Sequence, residues 1–246
     1  MTAPVFVVEH LDAGGGGRYV LDGPEGRHAV SVKRLRPGED IVLTDGSGRW
    51  ADCVVLDTEG KDRLIVQLDS VTEEPAEQPR VTVVQALPKG DRGELAVETM
   101  TEVGVDAIVP WAAARCITQW KGERGLKALG KWRATAREAG KQSRRVRFPE
   151  VAEAATTKGV AALLAGADFA AVLHESGDEP LATAELPSSG EIVLVVGPEG
   201  GVAPEELAQF AEAGAKAYRL GRSVLRTSTA GTAAAAVLLA RTGRWS

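Results

Sequence analysis

The sequence predicts an α/β domain preceded by a small all-β domain. Short apolar or alternating runs separated by glycine-rich turns fill roughly the first 70 residues, which is typical of β-strands. After Arg80, strand-like apolar runs alternate with helical patterns. Such alternation indicates a mostly parallel sheet covered by helices on both faces.

The first domain is expected to be a β-barrel over residues 1–71. Its predicted strands are "VFVV", "RYVL", "DIVLTDG", "WADCVVLD" and "RLIVQLDSV". The turns between them are "DAGGGG", "RPGED", "DGSG" and "DTEGKD". Residues 72–79, "TEEPAEQP", are rich in proline and glutamate and predict a linker.

The second domain is expected over residues 80–246. Its predicted strands are "VTVVQAL", "DAIVPW", "FAAVLHE", "IVLVV" and "AKAYRL". Apolar residues at helical spacing predict helices in "RGELAVETMTEVG", at about 126–142 and 156–165, after Pro204, and in the alanine-rich "RTSTAGTAAAAVLLAR".

Composition limits the possible function. The net charge of the 246-residue chain is −5, which argues against general polyanion binding. Cys53 and Cys116 are far apart, and the three histidines show no ligand spacing, so neither a disulfide framework nor a metal site is expected. The first ten residues lack a basic region followed by an apolar region, so no signal peptide is expected, and no apolar run reaches about 20 residues. We therefore expect a cytoplasmic protein.

The charge is unevenly distributed. Residues 115–147 contain eleven lysines or arginines against Glu123 and Glu138, a net charge of +9. This asymmetry suggests an anionic partner such as nucleic acid, although a solvated helix face would also explain it. If the helix continued far enough, Arg133, Arg137, Lys141 and Arg144 would form one basic stripe that binds RNA phosphates.

Three loops follow predicted parallel strands, where ligands of such sheets bind. They are "LHESGDEP", "GPEGG" and "LGRSVLRTS". The "GPEGG" loop is a poor phosphate site because Pro198 lacks an N–H and Glu199 is negative. A nucleoside without phosphates, such as the cationic S-adenosylmethionine, would fit better. An ordinary tight turn is the alternative.

Four segments together resemble the SPOUT methyltransferases of the RsmE type, which methylate N3 of a uridine in 16S ribosomal RNA. They are "LPKGDRGELAVETMTEVGVDAIVPWAAAR", "KWRATAREAGKQSRR", "VVGPEGGVAPEEL" and "LGRSVLRTSTAGTAAA". "GRHAVSVKRLRPGEDIVLTDGSG" is similar to the PUA-like barrel of that family. One departure is Ser228, where the family commonly has an acid, which places any catalytic carboxylate there in doubt.

The resemblance implies a trefoil knot, S-adenosylmethionine as the cofactor, and a homodimer with two shared sites. It implies 16S ribosomal RNA in the decoding region of the small subunit as the substrate. Matching the three loops to the family implies a set of cofactor-binding residues. These are Leu173, His174, Glu175, Gly197, Glu199, Gly200, Gly201, Leu220, Gly221, Val224 and Leu225. His174 alone could equally be an ordinary loop histidine.

Methylation of uracil N3 requires that its proton be removed or that the resulting negative charge be stabilised. Arg226 is the first candidate to stabilise this charge. Arg144 is the second, although it could instead be solvated or contact phosphate. No general base is identifiable. RNA contacts are expected from the first domain, at Arg27, His28, Lys33, Arg34 and Arg36. "VKRLRPGE" could instead be only a polar strand edge and turn.

Two other functions stay open. A related SPOUT enzyme could methylate the ribose 2′-hydroxyl of ribosomal or transfer RNA. The chain could also be a non-catalytic RNA-binding assembly factor that has kept the fold. A phosphate-binding α/β enzyme is disfavoured by Pro198 and Glu199.

Overall fold

A computed structural model describes residues 3–12 and 16–245, and the chain forms two compact units. Unit 1 comprises Met1–Ala76 and Gly140–Phe148, and unit 2 comprises Glu77–Ala139 and Pro149–Ser246. Part of the predicted "DAGGGG" turn, residues 13–15, lies outside the described residues.

Unit 1 contains a six-stranded mixed sheet. Its strands are β1 (Val5–Val7), β2 (Gly17–Leu21), β3 (Asp40–Thr44), β4 (Arg49–Glu59), β5 (Arg63–Leu68) and β6 (Thr72–Glu73). The order is β1-β3-β4-β5-β2, with β6 paired to β4. Alternating side chains such as Ile41, Leu43, Leu64 and Val66 are buried and form the core of the unit. Because Thr72 and Glu73 pair with Arg49 and Trp50, the expected linker begins with a strand.

The prediction of an all-β first domain is wrong between β2 and β3. Helix α1 (Gly23–Arg27) is followed there by a π-helical segment, His28–Lys33. Pro24 opens α1, where its missing N–H costs nothing. Ala29 is fully buried on this segment and packs into the core of the unit. The "VKRLRPGE" stretch is therefore not a strand edge.

A nine-residue segment distant in sequence completes unit 1. The N–H of Gly48 donates to the carbonyl of Val146 at 3.0 Å, and the N–H of Phe148 donates to Gly46 at 2.8 Å. The Lys141 ammonium group lies 2.8 Å from a Glu25 carboxylate oxygen. The sequence contained no signal for this return of the chain.

Unit 2 contains a seven-stranded parallel sheet, as the alternating pattern predicted. The strands are β7 (Arg80–Ala86), β8 (Ala107–Trp111), β9 (Glu150–Val151), β10 (Phe169–Leu173), β11 (Glu179–Pro180), β12 (Glu191–Val196) and β13 (Lys216–Arg219). Their order is β11-β13-β10-β12-β7-β8-β9. The central strands β12 and β7 are almost fully buried, which explains their continuous apolar sequences.

Helices cover this sheet. They are α2 (Arg92–Val103), α3 (Gly122–Gln142), α4 (Thr157–Ala165), α5 (Pro204–Glu212) and α6 (Thr227–Arg241). Helix α6 packs on α2, β7 and β12, whereas α4 packs on α5 and β10. A Cβ on Gly231 would lie 2.8 Å from the Met100 sulfur, so a side chain at this position would require Met100 to shift. In the described part of the chain, no helix combines the length and apolar character needed to cross a membrane.

Candidate active site

A cavity of about 560 Å³ lies at the carboxyl ends of β10, β12 and β13. This volume is within the range of small-molecule sites. Three loops form most of its wall, and they are the three loops that the sequence singled out. Every residue expected to bind cofactor lines the cavity: Leu173, His174, Glu175, Gly197, Glu199, Gly200, Gly201, Leu220, Gly221, Val224 and Leu225. Arg226 also lines it.

The loop after β12 is a tight turn that only glycine can complete. Gly201 has a φ of 72°, a left-handed conformation that side-chain-bearing residues rarely adopt. Its N–H donates to the carbonyl of Pro198 at 2.9 Å. The carbonyl of Gly200 accepts a 3.1 Å hydrogen bond from Arg115 Nη1, which joins this loop to the loop after β8.

The carboxylate of Glu199 is held by the loop after β7. It accepts the Lys89 N–H at 3.1 Å and lies 3.8 Å from Arg92 Nη1. Glu199 also lines the cavity, beside Arg92, which lines it too. A carboxylate beside Pro198 repels phosphate and tolerates a cation, as the sequence indicated.

The loop after β10 is fastened to β13. The N–H of His174 donates to the carbonyl of Tyr218 at 3.0 Å, and its ring Nδ1 accepts the Ser176 N–H at 3.2 Å. Arg219 Nη1 donates to the carbonyls of Gly177 and Asp178 at 2.8 and 2.6 Å. These hydrogen bonds within the chain hold the loop after β10 in place as one wall of the cavity.

The loop after β13 leaves its backbone available for a ligand. No backbone N–H of residues 221–225 donates a hydrogen bond to another described residue. Leu220 and Leu225 contribute apolar surface, and Val224 is 81% exposed. Open backbone donors beside apolar side chains are suited to the edges and faces of a base.

The cavity also includes arginines that the sequence analysis did not select. Arg92 is the first residue of α2, Arg115 lies in the loop after β8, and Arg222 lies in the loop after β13. The position of these loops at the carboxyl ends of neighbouring parallel strands was the available signal. Among the residues that the structure describes, none pairs with the side chains of Arg222 and Arg226.

Ser228 provides no carboxylate and is itself inaccessible. It lies in the first turn of α6 and is 4% exposed. Within the ranges 3–12 and 16–245, no cluster of three histidine, cysteine or acidic residues could hold a metal ion. Residue 228 therefore offers no carboxylate that could act as the base for the N3 proton.

The prediction of one exposed basic stripe is wrong at Lys141 and Arg144. Lys141 is 5% exposed and paired with Glu25, so it is unable to contact phosphate. Arg144 lies beyond the end of α3, and its φ of 59° breaks the helical spacing. Arg133 is exposed, but its guanidinium binds the Val151 carbonyl and Glu153. Arg137 is exposed on the helix.

Unit 1 presents a separate basic surface. Four exposed basic residues lie from the end of α1 to just beyond the π-helical segment: Arg27, Lys33, Arg34 and Arg36. The ring of His28 instead packs edge-on against Phe6, with centroids 5.8 Å apart. His28 is half-buried and therefore contributes more to packing than the other four residues.

Two family models match the chain, one in each of its two parts. A family model for an RNA methyltransferase domain matches residues 75–239, and one for an RNA methyltransferase PUA domain matches residues 21–69. The chain is 46% identical to ribosomal RNA small subunit methyltransferase E of Mycobacterium bovis, over 100% of this chain and 94% of the relative.

Solved structures agree. The enzyme of the same name from Neisseria gonorrhoeae, bound to S-adenosyl methionine, is 29% identical, covers 98% of both chains and has a TM-score of 0.85. A Legionella pneumophila methyltransferase in complex with bound SAM is 26% identical over 98% of both chains, with a TM-score of 0.84. The fold is that of an RNA methyltransferase. The chain belongs to the ribosomal RNA small subunit methyltransferase E family.

Proposed function

We propose that this enzyme transfers a methyl group from S-adenosylmethionine to N3 of a uridine in 16S ribosomal RNA, in the decoding region of the small subunit. The observation that carries the proposal is the cavity, which joins three carboxyl-end loops without forming a phosphate cradle. Membership of an rRNA small subunit methyltransferase family supports the choice of substrate.

The residues of the cavity fit the cofactor. The unbonded N–H groups of residues 221–225 can read the edge of adenine, and Leu173, Leu220 and Leu225 can cover its faces. Glu175 and Glu199 provide carboxylates that can face a sulfonium, and Pro198 lacks the N–H that a phosphate-binding loop would use. Five arginines among the described residues also line the cavity and leave room for an anionic second substrate: Arg92, Arg115, Arg219, Arg222 and Arg226. When bound, S-adenosylmethionine supplies an electrophilic methyl group next to a positively charged sulfur.

Arg226 is positioned to assist the reaction. It precedes the first turn of α6, and its exposed side chain has no partner among the described residues. A guanidinium there can stabilise the negative charge that develops on a uracil oxygen when the N3 proton leaves. Arg144, the second candidate, belongs to unit 1 and is not among the described residues that line the cavity, so no observation of the site supports it beyond its exposure. Holding two substrates at short range supplies much of the remaining acceleration.

The basic surface of unit 1 supports RNA binding. Arg27, Lys33, Arg34 and Arg36 are free to contact phosphates, with His28 at the edge of this group. We also propose RNA contacts in and just after α3, from three exposed residues: Arg133, Arg137 and Arg144. Contacts of this kind fix the position of the RNA without reading its sequence. N3 takes part in base pairing, so the target uridine must be unpaired or extruded.

The proposal includes a trefoil knot in unit 2, a homodimer with two shared sites, and action in the cytoplasm, where the ribosomal substrate is assembled. The resemblance to the SPOUT methyltransferases supports these statements, together with the RNA methyltransferase domain model that matches residues 75–239.

Mass spectrometry of small-subunit RNA nucleosides tests the function. RNA from cells lacking the gene should lose 3-methyluridine, and expression of the wild-type gene should restore it. Loss of a 2′-O-methylated nucleoside instead would identify a ribose methyltransferase. Cofactor binding with no change in any nucleoside would identify an assembly factor.

A further inference from the structure

Glu206 is a buried carboxylate outside the set of residues that line the cavity in the described chain. It lies in the first turn of α5 and is 5% exposed. Its Oε1 accepts the N–H of Ala114 at 2.8 Å and the hydroxyl of Thr157 at 2.9 Å. Its Oε2 accepts the N–H of Ala203 at 3.2 Å.

These three donors come from three different parts of unit 2. Ala203 ends the glycine loop after β12, Ala114 lies in the loop after β8, and Thr157 begins α4. A glutamate at this position of a helix commonly reaches back to the preceding N–H, which accounts for Ala203 alone. Helix capping does not explain the hydrogen bonds to Ala114 and Thr157, which lie far from α5 in the sequence.

The bond to Ala114 bears directly on the cavity. The next residue, Arg115, lines the cavity and donates to the carbonyl of Gly200 at 3.1 Å. The two loops are thus joined twice, by Glu206 at their base and by Arg115 at the cavity. A Cβ on Gly200 would lie 3.2 Å from the Arg115 Cβ, so the two loops pack closely.

We propose that Glu206 is a positioning residue for the cofactor site. Its carboxylate fixes the loop after β8 relative to the glycine loop, so that Arg115 holds the Gly200 carbonyl and the turn keeps the shape that receives the cofactor. This inference rests on the proposed binding of S-adenosylmethionine. Glu206 acts through Arg115 and does not touch the ligand.

The test compares Glu206→Gln with the matched variant Glu205→Gln, an exposed acid in the same turn. The amide keeps the shape of the side chain but converts one acceptor into a donor that faces backbone N–H or hydroxyl groups. Calorimetry with S-adenosylmethionine should show a Kd raised about tenfold in Glu206→Gln, the effect of roughly one charge-assisted hydrogen bond. Glu205→Gln should bind like the wild type.

Kinetics separates positioning from general destabilisation. The KM for S-adenosylmethionine should rise with the Kd, while kcat at saturating cofactor should change less than about threefold. Thr157→Val removes a donor that shares Oε1 with the Ala114 N–H but belongs to α4, no described residue of which lines the cavity. It should lower the Tm and leave the Kd unchanged.

Arg115→Ala keeps the proposal testable if Glu206→Gln does not fold, because Arg115 is exposed. It should raise the Kd while the Tm stays the same, and the double variant should lose less than the two single losses combined. An unchanged Kd in Arg115→Ala, additive losses, or a lower Tm with normal Kd in Glu206→Gln would overturn the inference. Absence of binding by the wild type would overturn the proposed function itself.

Discussion

The hydroxyl of Thr227 donates a 2.8 Å hydrogen bond to the carbonyl of Gly197. The same oxygen accepts the side-chain amide of Gln85 at 3.0 Å, and both side chains are buried. The first turn of α6 is therefore fixed to the glycine loop and to the end of β7. Arg226 immediately precedes this turn, so its position depends on the same bonds.

Thr227→Val should lower both stability and cofactor affinity. Valine keeps the shape of threonine but leaves the buried Gly197 carbonyl and Gln85 amide without this partner, at a cost of about 1–3 kcal/mol. Urea denaturation and calorimetry measure the two effects. Thr229→Val is the control, because its hydroxyl is exposed and bonds only within the first turn of α6. Equal behaviour of the two variants would contradict the assignment.

Arg226→Ala should lower kcat about 10²- to 10³-fold, as expected for loss of a group that stabilises developing charge. The Kd for S-adenosylmethionine should stay within about twofold, because the guanidinium matters only when the uracil becomes anionic. Single-turnover methylation of small subunits measures the rate. Arg226→Lys should recover part of it. If Kd and kcat worsen together, Arg226 belongs to the cofactor pocket.

Lys141→Met should destabilise unit 1 by about 1–3 kcal/mol, because the partly buried Glu25 carboxylate would lose the ammonium group that lies 2.8 Å away. The double variant Lys141→Met, Glu25→Gln should recover much of this loss, because it leaves no isolated charge. Urea denaturation gives both values. A single variant as stable as the wild type would show that the pair contributes little.

Replacing Arg34 and Arg36 with glutamine should weaken RNA binding for all sequences and leave the Kd for S-adenosylmethionine unchanged. The slope of log affinity against log salt should decrease by about one for each lost phosphate contact. Filter binding across a salt series measures this slope. Arg63→Gln is a control in the same unit, because Arg63 already pairs with Glu59 at 2.9 Å. An unchanged slope would exclude this surface from RNA binding.

Cys53 should resist alkylation by iodoacetamide in the native protein and react when the protein is unfolded. Burial raises the pKa of its thiol from 9.0 to about 12, and only the thiolate is nucleophilic. The raised pKa also means that the unfolded chain loses this proton first. Stability should therefore fall as pH rises from about 9 to 12, by at most ~1.4 kcal/mol per pH unit from this group. Cys53→Ala should show a shallower decline.

Much of unit 2 could be predicted from sequence because its signals are local. Continuous apolar runs gave the buried parallel strands, and the glycines and prolines after β12 located the cavity. The Glu206 contacts could not be predicted, because they join residues 92 and 49 positions apart. The burial of Lys141 could not be predicted for the same reason, because its partner Glu25 is 116 positions away. A helical charge pattern does not show which of its members another part of the chain will bury.

Residues 140–148 have a consequence for how this architecture could be exchanged between proteins. They belong to unit 1, yet they are encoded within the sequence of unit 2. A gene fusion that joined Arg80 onward to a different N-terminal module would carry these nine residues without Gly46, Gly48 and Glu25, which they contact. The two units therefore cannot be exchanged as separate sequence segments. Recombination at the linker would leave unit 1 without residues 140–148 and would leave those residues without their partners.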